Sequence, residues 1–150
     1  MKIPPDTFQI IVKHTPLVSV DLIITDPDDY CLLGRRKNRP AQGSLFVPGG
    51  RIDKDEPIEV AVGRVLLAET GYEISEKDEH YFFGVYEHFY DDSYWDDQTS
   101  THYVVLAHRI NLASSLTMEP DGQHDQLEWL SPGELLARSD VHDYVKTYFN

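Results

Sequence analysis

Residues 57–70 constrain this chain most. Their apolar members Ile58, Ala61, Val62, Val65 and Leu66 recur at helical spacing, with Pro57 near the start and Gly71 at the stop position. The flanking runs have a different period. Residues 17–24 (LVSVDLII) are β-branched and aliphatic, and the turn signal Asp26-Pro27-Asp28-Asp29 leads to a second run at 30–33, which predicts a hairpin. A short strand at 45–47 precedes Pro48-Gly49-Gly50, and a loop then runs to the helix. Further on, 81–90 and 101–110 read as antiparallel strands around the acidic and aromatic loop 91–100. A polar segment at 120–125 leads into a short strand at 127–130 and helical patterns at 132–137 and 141–149. Strands before and after a central helix predict one domain over residues 1–150, of α/β (α+β) class, with a mixed β-sheet flanked by helices.

Composition narrows the function classes. A hydrophobic content of 41% suffices for one sizeable core, while 13 Lys+Arg against 26 Asp+Glu leave a net charge of −13 that repels polyanions and excludes general nucleic-acid binding. No stretch approaches the ~18 consecutive apolar residues of a membrane span. The start, MKIPPDTFQI, lacks the apolar run of a signal peptide, so the expected location is cytoplasmic and no membrane partner is expected. The lone Cys31 can form no internal disulfide or Cys-rich zinc site, and its apolar neighbours predict a buried thiol.

Two local features point to chemistry. At ~100° per residue, Ile58, Val62, Val65 and Glu69 fall within an arc of about 60°, which sets a carboxylate in the apolar stripe. Near a helix C-terminus the macrodipole disfavours that charge, so Glu69 needs a cation or an arginine, or else reaches past the last turn into water. Six of the 13 basic residues, Arg35, Arg36, Lys37, Arg39, Arg51 and Lys54, flank the Pro48-Gly49-Gly50 turn. Glycines admit close backbone approach and arginines clamp phosphate, so a pyrophosphate pocket is one reading and solvated surface charge the other.

Taken whole, Gly50-x5-Glu56-x7-Arg64-Val65-Leu66-Leu67-Ala68-Glu69-Thr70-Gly71-Tyr72 resembles the Nudix box, G-x5-E-x7-R-E-U-x-E-E-x-G-U, over residues 50–72. The resemblance implies a Nudix-type α/β/α sandwich that binds a divalent cation and a nucleoside diphosphate linked to another group. Val65 and Ala68 stand where the usual family carries glutamates. That loss is similar to the GDP-mannose mannosyl hydrolase branch, which cleaves at the sugar carbon. Thr15-Pro16-Leu17-Val18-Ser19, Asn38-Arg39-Pro40-Ala41-Gln42-Gly43, Phe46-Val47-Pro48-Gly49-Gly50-Arg51, His88-Phe89-Tyr90-Asp91-Asp92, Thr101-His102-Tyr103-Val104-Val105-Leu106 and Gln123-His124-Asp125 extend it. Residues 93–98 and the tail match poorly.

The resemblance implies a set of roles. Metal ligation falls to the Gly49 carbonyl, Glu69 and Gln123, oxygen donors that suit Mg²⁺ or Mn²⁺. His124 becomes the general base. Arg36 and Tyr103 stabilise charge on the departing GDP, and Arg51 contacts the diphosphate. Arg64 either binds substrate or pairs with Glu56 to brace the loop. Asp21, a polar residue in an aliphatic strand, asks for a partner and is assigned to the sugar or the catalytic pocket. His88 is assigned to substrate binding or to a satisfied core position, and Phe8 to stacking on guanine or to packing. The implied activity is hydrolysis of GDP-mannose, or GDP-glucose, to GDP and free sugar with inversion, by a homodimer. The rival readings are a pyrophosphohydrolase that cuts between phosphates and a Nudix-fold binding module without turnover.

Overall fold

A computed structural model describes residues 2–116 and 126–150. The chain runs α1 (Pro5–His14), β1 (Leu17–Thr25), β2 (Cys31–Arg35), β3 (Leu45–Phe46), β4 (Gly49–Arg51), α2 (Ile58–Thr70), β5 (Glu79–Tyr90), β6 (Thr101–Asn111), β7 (Leu127–Leu130), α3 (Pro132–Ala137) and α4 (Asp143–Lys146), then a 3-10 turn at Thr147–Phe149. The strands form one mixed sheet in the order β3-β2-β1-β6-β5, with β4 also on β1 and β7 also on β2. Only the β1–β6 pairing is parallel; the other strand pairs among the described residues are antiparallel.

The fold is the mixed sheet flanked by helices that the sequence predicts, and β1 explains its layers. Val20, Leu22 and Ile24 point to one face and pack with Ala61, Val62, Val65 and Leu66 of α2. Ile23 points to the other face, into a cluster with Cys31, Leu33, Leu135, Val145 and Tyr148. A strand covered on both faces needs an almost unbroken aliphatic run, which is why residues 17–24 show no alternation. Asp21 shares the parity of Ile23 and so faces the C-terminal helices. The Cys31 thiol is buried, as its neighbours predicted, and burial pushes its pKa up to about 12.

The boundaries follow physical rules. Gly71 ends α2 in the left-handed region (φ 76°), and its N–H donates to the Leu67 carbonyl at 2.8 Å. Ile58, in the first turn, is 44% exposed, so the buried face of α2 begins at Ala61. The Gly-Gly-Arg segment, read from the sequence as loop, is strand β4 because it pairs with β1 through Ser19–Arg51, Val20–Gly50 and Asp21–Gly49. The helical pattern at 141–149 breaks up: Val141 bridges to Leu45, and His142 caps the short α4 by accepting the Tyr144 N–H on Nδ1 at 3.1 Å. No helix among the described residues is long and apolar enough to cross a membrane.

Candidate active site

The Asp21–Gly49 pairing puts a carboxylate against the Gly-Gly turn at the centre of a cleft. A Cβ at Gly49 would stand 2.5 Å from Asp21 Oδ1 and 2.9 Å from the Val20 carbonyl oxygen, so only glycine fits. Around this point lie Arg36, Arg51, His88, Tyr90 and Tyr103. A second section of cleft, on the α2 side, is lined by Gly49, Ala68, Glu69, Arg35, Arg36 and Lys37. A third runs outward past Phe8, Arg39, Arg51, Tyr94 and Trp95. Arg36 borders all three sections and stands where they meet.

The central section holds buried polar groups. Asp21 is 6% exposed, and Tyr148 O–H donates to its Oδ2 at 2.6 Å. Burial pushes the Asp21 pKa up to about 7, against the opposing pull of the Tyr148 hydrogen bond and the Arg36 charge. His88 is buried, lies flat on Tyr144 with ring centroids 4.2 Å apart, and brings Nε2 to 3.5 Å from the Tyr148 oxygen. Burial, reinforced by His142, lowers its pKa to about 4, so it is neutral at pH 7. It is thus both a packed histidine and a lining residue of the cleft. Burial also raises the Tyr103 phenol, which keeps its proton and can donate it in a hydrogen bond. Arg36 is held at Nε by the Pro40 carbonyl at 2.8 Å.

The remaining candidates separate clearly. Arg64 takes the bracing geometry: Nε and Nη2 reach the two Glu56 carboxylate oxygens at 2.7 and 2.9 Å, and Nη2 also donates to the Arg51 carbonyl at 2.8 Å. Glu56, held near a pKa of about 2 by that fork, in turn accepts the Asp53 N–H at 3.0 Å. This pairing sets the 51–56 loop and leaves Arg64 outside the lining of the sections described. Phe8 borders the outer section, but the Arg51 guanidinium lies over its ring at 4.0 Å, and Trp95 meets it edge-on at 5.5 Å. Of the six clustered cations, Lys54 points toward Asp55 at 3.5 Å, and Arg35, although it borders the cleft, gives its guanidinium to the Gly43 carbonyl at 2.7 Å and to Asp140 at 2.9 Å. Gln123 and His124 lie outside the described residues.

Glu69 is half-buried and shares its section of cleft with Gly49, which fits a hard cation held by oxygen. Among the described residues no group of three or more His, Cys, Asp or Glu could hold a metal ion. Val65 is 3% exposed, and its methyl would touch a Cβ at Gly50 at 3.0 Å. Position 65 therefore serves packing here. The sequence reading missed Tyr148, Tyr144, Tyr90 and Trp95. The demand of Asp21 for a partner was the signal for Tyr148, and the aromatic content of loop 91–100 was the signal for Trp95.

Comparisons with known proteins agree with this architecture. The NUDIX domain family model matches residues 15–149. The low-salt glycan biosynthesis protein Agl8 of Haloferax volcanii is 38% identical over 149 residues, 99% of this chain and 90% of that protein. An ADP-ribose pyrophosphatase of Methanocaldococcus jannaschii is 45% identical over 56 residues, 37% of this chain and 32% of that one. Among solved structures, the MutT NUDIX hydrolase of Burkholderia pseudomallei superposes with a TM-score of 0.69 at 21% identity, covering 91% and 97% of the two chains. The NUDIX domain of Shewanella oneidensis NrtR, complexed with ADP ribose, gives 0.67 at 20% identity over 98% and 90%. At such identities these two structures speak to the fold alone.

Proposed function

The chain belongs to the Nudix family of hydrolases, and from that premise we propose that it hydrolyses a GDP-linked sugar, GDP-mannose or GDP-glucose, to GDP and free sugar, water attacking the anomeric carbon with inversion. One observation carries the choice of bond. Beside Glu69, positions 65 and 68 present a packed valine and an alanine, and among the described residues the carboxylates bordering the cleft are Glu69 and the buried Asp21. Among those residues no pair of carboxylates stands ready to prepare a nucleophile next to phosphorus. The identity with a protein named for glycan biosynthesis supports a sugar nucleotide.

The division of labour follows the groove. Gly49 through its carbonyl, Glu69 and Gln123 would hold Mg²⁺ or Mn²⁺, which would supply charge neutralisation at the diphosphate. Arg36, bordering every section, and the neutral Tyr103 hydroxyl stabilise the charge that develops on departing GDP, while Arg51 orients the diphosphate. Asp21 and neutral His88 line the sugar end. His124, whose imidazole is basic near neutral pH, takes the proton from the attacking water. We further propose a single domain over residues 1–150 and a cytoplasmic location, on composition and the character of the N-terminal residues, and a homodimer, which the resemblance implies.

A pyrophosphohydrolase is the second reading, favoured by the 56-residue identity with an ADP-ribose pyrophosphatase. Product analysis with GDP-mannose and Mg²⁺ tests the assignment. GDP and mannose support it; GMP and mannose phosphate support the second reading, and binding without products supports a non-catalytic module.

A further inference from the structure

The loop between β5 and β6 is tightly built for a segment that joins two strands. Ser93 is fully buried and its N–H donates to the Asp96 carbonyl at 2.9 Å. The Asp96 carboxylate accepts the N–H groups of Gln98 and Thr99 at 2.9 and 2.7 Å, and Thr101 Oγ1 ties the loop's far end to the Asp92 carbonyl at 2.8 Å. These bonds fix the two aromatic residues at its tip, Tyr94 and Trp95, on the outer section of the cleft. Tyr94 is 60% exposed.

We propose that Trp95 is the shelf on which the nucleobase of the nucleoside diphosphate stacks, with Phe8 as its buttress; the inference rests on the functional reading above. Phe8 already carries the Arg51 guanidinium on one face, so it holds that cation in place between the outer section and the Asp21 end. Trp95 meets Phe8 at an interplanar angle of 62° and Tyr94 at 79°, so neither ring lies parallel on the indole. With Arg36 and Arg51 bordering both the central and the outer section, a diphosphate gripped by these arginines directs its nucleoside outward, toward the indole. The shelf holds the base by stacking, and it makes the base contribute to binding independently of the phosphates.

The test is titration of the full-length protein in Mg²⁺ with GDP and, separately, with inorganic pyrophosphate, by calorimetry and tryptophan fluorescence. W95A should raise the Kd for GDP by about 5- to 150-fold, the range that one base–aromatic stack supports, and leave pyrophosphate within about twofold of wild type. W95F, which restores a ring, should recover most of the GDP affinity. The chain has two tryptophans; in W129F, GDP should quench the remaining Trp95 emission. A W95A Kd for GDP within about twofold of wild type, or equal losses for GDP and pyrophosphate, would overturn the shelf alone. A wild-type protein that binds no GDP would overturn the functional reading and the shelf with it.

Discussion

Asp21→Asn should stabilise the protein relative to wild type increasingly as pH rises. Burial raises the Asp21 carboxyl from an ordinary 3.8 to about 7. Between those values the folded chain keeps a proton that the unfolded chain has lost, so this group's contribution to stability falls as pH rises and levels off above about 7. Asparagine does not titrate and escapes the penalty. His88 works in the opposite sense: lowered from 6.5 to about 4, it makes the folded state more stable as pH rises through that window, so the wild-type curve alone shows partial cancellation. The difference between wild type and variant isolates Asp21. From about pH 5.5 to 8.5, at ~1.4 kcal/mol per pH unit, only the part up to pH 7 counts, which gives a swing on the order of 2 kcal/mol. Urea unfolding in EDTA is the assay. With a slope of about 2 kcal/mol per molar for a chain of this size, the variant's midpoint should gain about 1 M on wild type across that range. Midpoints that keep a constant separation would refute the claim that Asp21 is buried with a raised pKa.

Other outcomes follow from single contacts. Arg64→Lys loses the fork to Glu56, so the Asp53 amide, which donates to Glu56 Oε1, should exchange hydrogen faster while global stability changes little; unchanged exchange would deny the bracing role. Gly63→Ala, in the interior of α2 with open space around its Cβ, should add about 0.5–1 kcal/mol in thermal unfolding. Gly49→Ala, with no room beside Asp21, should cost about 1–3 kcal/mol in the same assay. Glu69→Gln should weaken the Mg²⁺ dependence of turnover or abolish it with the fold intact, and a metal titration that matches wild type would remove Glu69 from the metal site.

Local signals carried much of the architecture. The period of 57–70, its Gly71 stop and the aliphatic run of β1 announced a helix and a strand, because both properties are written in adjacent residues. β4 was invisible because Gly-Gly-Arg has no strand preference of its own; its extended form comes from pairing with residues about 30 positions earlier in the chain. The parallel match of β1 with β6 is equally non-local. At the site, the anomaly of Asp21 was legible but its partner was not, since Tyr148 stands 127 residues away and reaches it only when the C-terminal turn folds over the sheet. Arg64 shows the converse: its pairing with Glu56, eight residues earlier, was one of two readings, and geometry selected it.

The central claim is that water attacks carbon, and hydrolysis of GDP-α-mannose in H₂¹⁸O tests it most directly. Initial products should carry the label on the sugar and none on GDP, with the β-anomer formed first and visible by rapid NMR before mutarotation. Label on GDP at initial rates would mean attack on phosphorus and would contradict the account.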